Sequence, residues 1–200
     1  MTDDALRDEI AFIRQAIEEG RGWASVHSPA LVVWGVGMAI AYAGTYGCAL
    51  GWWRIDANWI WAACVVPCWL YSMRGPAGRL MGLAQDRPAA RPMARALQML
   101  WLGCGIFLTI FAVAVILSGE MRDGWFGAVI AGVFGIGFFV SASLCNLPWV
   151  RLVAVGWWVG ALAIYALRHR LEVLPLSAVL MLALMALPGF LLLRGRPAAP

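Results

Sequence analysis

The chain has 200 residues, 62% of them hydrophobic and 13% charged, with a mean hydropathy of +0.78. Water-soluble domains carry about 25% charged residues, so this chain lacks the polar skin that a soluble fold needs. The formal net charge is +4, and all 15 basic residues are arginines set between apolar runs. That placement suits topology and contact with membrane lipids, not nucleic acid.

The apolar runs are continuous and close to 20 residues long. Continuity excludes alternating barrel strands, and the length indicates spanning helices. The fold class is therefore all-α: a polytopic membrane protein with six transmembrane helices and an N-terminal amphipathic helix. The domain division is 1–22 for that cytoplasmic helix and 23–200 for the transmembrane domain. The chain opens acidic, at Asp3 and Asp4, rather than basic then apolar, so the first apolar run reads as a retained anchor.

In residues 1–22, Leu6, Ile10, Ile13 and Ile17 recur at helical spacing and form one apolar stripe. Asp3 or Asp4 can cap the start, and Gly20 and Gly22 supply a stop. The stripe can lie on the membrane surface, pack on the chain's own helices, or dock a second copy or a partner protein. The acidic balance of its polar face weighs against an anionic lipid surface.

The first span is expected at 30–51. Gly35, Ala39, Ala43, Gly47 and Gly51 repeat every four residues, a ridge that permits close helix approach. The ridge can serve packing within the chain or self-association in a homo-oligomer. Tyr42 and Tyr46 lie on a neighbouring face, and their hydroxyls need partners at that depth. The second span, 57–73, is short, and Pro67 should bend it. An arginine-rich stretch, 74–95, follows.

The third span is expected at 96–118 and the fourth, rich in glycine, at 124–144. Gly124, Ala128 and Gly132 form one small ridge, with Gly127, Ala131 and Gly135 beside it. Two small faces place the fourth span centrally, between two neighbours. Asn146 and Pro148 mark a turn, with Pro148 suited to the first position of the fifth span, 149–167. His169 is expected to cap the end of that span. The sixth span, 174–193, begins at Pro175, and Pro188 should kink it.

Six spans put both termini on one side. That side collects Arg7, Arg14, Arg21, Arg74, Arg79, Arg87, Arg91, Arg95, Arg151, Arg194 and Arg196, against Arg54, Arg122, Arg168 and Arg170 opposite. The excess of basic residues assigns both termini to the cytoplasm of a bacterial-type inner (plasma) membrane. Tryptophans fall near both expected surfaces, as aromatic belts do. Trp157 and Trp158 are exceptions at mid-depth. One is expected to face lipid, and the other needs a partner for its indole N–H.

Apart from Arg151, in the first turn of the fifth, no Asp, Glu, Lys, Arg or His falls inside an expected span, which disfavours a proton-coupled carrier. Thr45, Thr109, Ser141 and Ser143 can line a channel or bond back to their own helices. A soft-metal site for Cu(I) or zinc would require Cys64, Cys68, Cys104 and Cys145 to converge. Otherwise they, with Cys48, act as small hydrophobic residues. His27 and His169 fall on opposite sides and cannot share a metal or a haem iron. No cofactor is expected. Nucleotide-binding loops, HExxH and GxSxG are missing, and no acid–histidine–nucleophile grouping forms on one side.

The residues therefore describe a non-enzymatic membrane subunit, scaffold or regulatory partner, alone, as a homo-oligomer or within a larger membrane complex. The alternatives are a small channel or carrier for a neutral or lipidic solute, and a membrane-embedded enzyme.

Overall fold

A computed structural model describes residues 28–74, 92–118 and 125–194. The amphipathic segment 1–22, His27, most of the arginine-rich stretch, the 119–124 turn and the tail after Arg194 lie outside the described residues. Those described form six helices: α1 (Ser28–Ala49), α2 (Ala57–Arg74), α3 (Pro92–Ser118), α4 (Trp125–Leu144), α5 (Pro148–Ala166) and α6 (Val173–Arg194). Five of them are long and apolar enough to cross a bilayer. The exception is α2, whose 18 residues include Asn58, Pro67, Ser72 and Arg74. At about 1.5 Å per residue α2 reaches roughly 27 Å, just under a typical hydrocarbon thickness. The chain is thus an all-α protein with five to six long apolar helices, consistent with a polytopic membrane bundle.

Consecutive helices run antiparallel, which side-chain pairs along their length record. Between α1 and α2, Trp34 meets Ser72 at one end and Gly44 meets Ile60 nearer the other. Between α3 and α4, Trp101 meets Ser141 and Phe111 meets Phe126. Gly127 faces Ile164 and Gly135 faces Trp158 across α4 and α5. Gly160 faces Leu180 and Gly156 faces Leu184 across α5 and α6. The first helix then closes on the last, with Gly35 on Ala186 and Gly189 on Leu31. Leu97, Cys145 and Leu192 cluster, so the start of α3 and the ends of α4 and α6 share one side.

Small residues explain why the centre lies in α4 to α6. In α4, Ala131 is buried and Gly135 receives the Trp158 indole directly. Lipid tails are as apolar as leucine, so close van der Waals contact, rather than apolar burial, favours helix pairing in a membrane. Ala142 on α4 and Ala154 on α5 are fully buried, and Phe134, Phe138, Val153 and Met181 fill the space among them. Of the spanning window of α4, 44% is buried, against 6% for α3. The central position expected of the fourth span is where the structure has it.

The boundaries differ little from the sequence reading, with two instructive exceptions. Gly51 lies beyond α1, in a turn at φ 75°, so the small-residue ridge ends at Gly47. Helix α3 begins at Pro92, because a proline at a first helical position forfeits no hydrogen bond. Asn146 takes a left-handed φ of 51°, and Pro148 opens α5 as its first residue.

Candidate functional site

One tightly packed point among the described helices is a break in α6. Pro188 has no N–H, so the carbonyl four residues earlier, that of Leu184, loses its usual donor. Around it the helix widens into a π-turn, Leu182–Ala186, closed by Leu187 N–H on the Leu182 carbonyl. Trp157 on α5 donates its indole N–H to the Leu184 carbonyl at 3.2 Å. A neighbouring helix and a local π adjustment thus meet the backbone groups that proline frees, as the hydrocarbon interior demands. Trp157 is 1% exposed and sits edge-on to Phe134, with centroids 5.1 Å apart.

From the other side, α1 presses on the same turn. A Cβ at Gly35 would stand 2.6 Å from the Ala186 backbone nitrogen, so only glycine fits. The tryptophan pair at mid-depth divides as the sequence implied. Trp157 finds a partner in the core, and Trp158 is 37% exposed at the edge of the α4–α5 contact, its indole lying on Gly135.

Two further indoles brace the other hairpins. Trp34 donates to Ser72 Oγ at 2.8 Å, and Ser72 in turn donates to the Cys68 carbonyl. Trp101 donates to Ser141 Oγ at 3.0 Å. Each of these indoles meets, edge to face, the aromatic ring three residues before its serine: Trp69 in one case, Phe138 in the other. Every odd-numbered helix is therefore tied to the helix after it by a tryptophan N–H. Sequence reasoning missed Ser72 as a partner, because the bond joins residues 38 positions apart.

The cysteines scatter. Cys64 and Cys68 line a groove between α1 and α2, where Cys68 Sγ points at the Val33 carbonyl, 3.6 Å away. Cys104 lines a different groove between α3 and α4. Cys145 lies in the turn after α4, beside Leu97, and burial pushes its thiol up to about 11. A thiol held protonated is a poor nucleophile and a poor ligand. Among the described residues no three of His, Cys, Asp or Glu come together as a metal site.

The ridge on α1 is partly occupied by the chain itself. Gly35 faces Ala186, Ala39 is buried in the core, and Gly47 receives the Trp53 indole. Ala43 is exposed. Three of the four hydroxyls bond locally: Thr45 donates to the Ala41 carbonyl, Thr109 to Gly105 and Ser143 to Phe139, while Ser141 accepts the Trp101 indole N–H. At the end of α5, Arg168 rather than His169 caps the helix, donating to the Tyr165 carbonyl while lying over the Tyr165 ring. The longer guanidinium can curl back onto a ring and a carbonyl together, and His169 remains exposed.

Two shallow depressions among the described residues are apolar grooves open to the bundle's exterior. One, of about 460 Å³, runs between α1 and α2 past Val36, Gly37, Ala63 and Pro67. The other, of about 380 Å³, runs between α3 and α4 past Gly103, Phe107 and Ile136. Neither groove carries an ionisable side chain other than a thiol. No family model, curated protein or solved structure matches this chain.

Proposed function

We propose that the protein is a non-enzymatic integral membrane subunit, a scaffold or regulatory partner for other membrane components. The observation that carries this reading is the filled centre of the bundle. Trp157, Phe134, Phe138 and Met181 occupy the space among α4, α5 and α6, where a solute path or a reaction centre would need polar room. The charged residues described stand in the first or last turns of helices or in the connections between them, not in the apolar middles.

The contacts that remain for such a protein are lateral or terminal. The apolar stripe Leu6, Ile10, Ile13 and Ile17 is the docking element of this proposal, in residues 1–22. Of the small-residue ridge Gly35, Ala39, Ala43 and Gly47, the chain itself covers all but Ala43, which is the position left for self-association with a second copy. The arginine distribution supports a bacterial-type inner membrane with both termini cytoplasmic. A carrier of lipidic solutes is the second reading, favoured by the two open apolar grooves alone.

Deletion of residues 1–22 tests the docking role. Purified in mild detergent, the shortened chain is expected to lose co-purifying partners or its oligomeric state while keeping its helical content. Retention of both would overturn the proposal.

A further inference from the structure

The two ends of the bundle differ in charge. Among the described residues both carboxylates, Asp56 and Glu172, lie in the connections at one end, together with Arg54, Arg168 and Arg170. The opposite end holds Arg95, Arg151 and Arg194, all exposed, and no described acid.

Arg151 stands apart from the others. Helix α5 has 19 residues, roughly 28 Å, and needs all of them to cross a bilayer core of about 30 Å. The 27 residues of α3, about 40 Å, carry Arg95 clear of that core. Arg194 lies over the Phe190 ring, and Arg168 is engaged by Tyr165. Arg151 has no hydrogen bond, ion pair or ring contact among the described residues. Its place in the first turn does not serve α5 itself, because the helix dipole disfavours a cation there. A charge held at the edge of a span calls for a partner.

The surface below it shows which. By helical spacing Arg151 shares the outward face of α5 with Val155, Trp158 and Leu162, which are 47%, 37% and 72% exposed. Phe139 of α4 lies against Trp158, with centroids 5.6 Å apart, and continues this face onto the next helix. Gly135 faces Trp158, so seven residues further along each antiparallel helix Arg151 comes level with Ala142 and exposed Ser143. A lone guanidinium thus stands above an apolar seam that runs to mid-depth. A lipid matches that order, with phosphate above and chain below, whereas a soluble acidic peptide would leave the seam to hydrocarbon.

We infer that Arg151 binds the headgroup phosphate of an anionic phospholipid whose acyl chain lies in the α4–α5 seam over Phe139, Val155 and Trp158. The long side chain reaches up to the headgroup while its stem stays on the apolar face. The acid-free end selects headgroups of net negative charge. The site lies on the transmembrane bundle and is independent of the docking role of residues 1–22.

Phosphatidylglycerol and phosphatidylcholine with identical chains test the inference. The full chain, delipidated in detergent, is titrated with each while its thermal unfolding is followed. The melting temperature is expected to rise about 2–4 °C further with phosphatidylglycerol. Arg151→Gln is expected to remove that difference, and Arg194→Gln, an equal charge change at the same end, to keep most of it. If Arg151→Gln fails to fold, Ser143→Asp is expected to remove the difference by giving the guanidinium a carboxylate. Equal stabilisation by the two lipids would overturn the inference, and is the result if the chain's own acidic residues 1–22 already occupy Arg151. Equal losses from Arg151→Gln and Arg194→Gln would also overturn it, since they mean a diffuse field without a site. So would a full preference retained in Arg151→Gln or Ser143→Asp.

Discussion

Two helices of this bundle carry a proline in their interior, and the protein treats them differently. In α6, Pro188 frees the Leu184 carbonyl inside the core, where Trp157 takes it and a π-turn absorbs the widening. In α2, Pro67 frees the Ala63 carbonyl on an exposed surface, beside the open α1–α2 groove. There the helix continues without a π-turn, and no side chain among the described residues donates to Ala63. The same chemical insult is repaired where neighbours surround it and left to the surroundings where they do not. The break in α6 is thus a packing element, and the break in α2 belongs to the rim.

Substitutions at these two sites should separate in size. The largest effect is expected from Trp157→Ala, which empties the core and strands the Leu184 carbonyl. Large-to-small changes of this kind cost about 3–5 kcal/mol, to be read as lost thermal stability in detergent. Gly35→Ala comes next. Its Cβ meets the Ala186 backbone, which cannot swing aside as a side chain can, so a cost of about 1–3 kcal/mol is expected.

Smaller effects should come from the two matched indole–serine ties. Double-mutant cycles on Trp34 with Ser72, and on Trp101 with Ser141, should each give a coupling near 0.6 kcal/mol, typical of hydrogen bonds between membrane helices. The smallest is Pro67→Ala. It returns a donor to the Ala63 carbonyl at the rim, and stability should hold or rise slightly. A loss larger than that of Gly35→Ala would mean that α2, not α6, carries the structural break.

Much of this architecture is local and therefore legible. Hydropathy sets the helices, Pro148 and Asn146 set the turn before α5, and the paired tryptophans at mid-depth announce one buried and one exposed ring. What the sequence withholds is pairing over distance. Helical periodicity cannot say that Trp101 will reach Ser141, 40 residues on. It also cannot say that Gly35 will face a π-turn while Ala43, on the same ridge, is exposed. Proline at 188 foretold a disturbance in α6, but its form depends on the indole that a different helix brings. The four-cysteine question had the same character, since only the fold shows that Cys64 and Cys68 share a groove that Cys104 and Cys145 do not enter.

The six-helix arrangement depends most on α2 crossing the bilayer beside α1 despite its modest hydropathy. Single cysteines introduced as Asp56→Cys and Asn146→Cys, in a background without the native cysteines, report on the α1–α2 and α4–α5 connections. Sealed cells treated with a membrane-impermeant maleimide are expected to label the first from outside and the second only after permeabilisation. Labelling of both from the same side would mean that an odd number of the helices α2 to α4 fails to cross, and would contradict the six-helix arrangement.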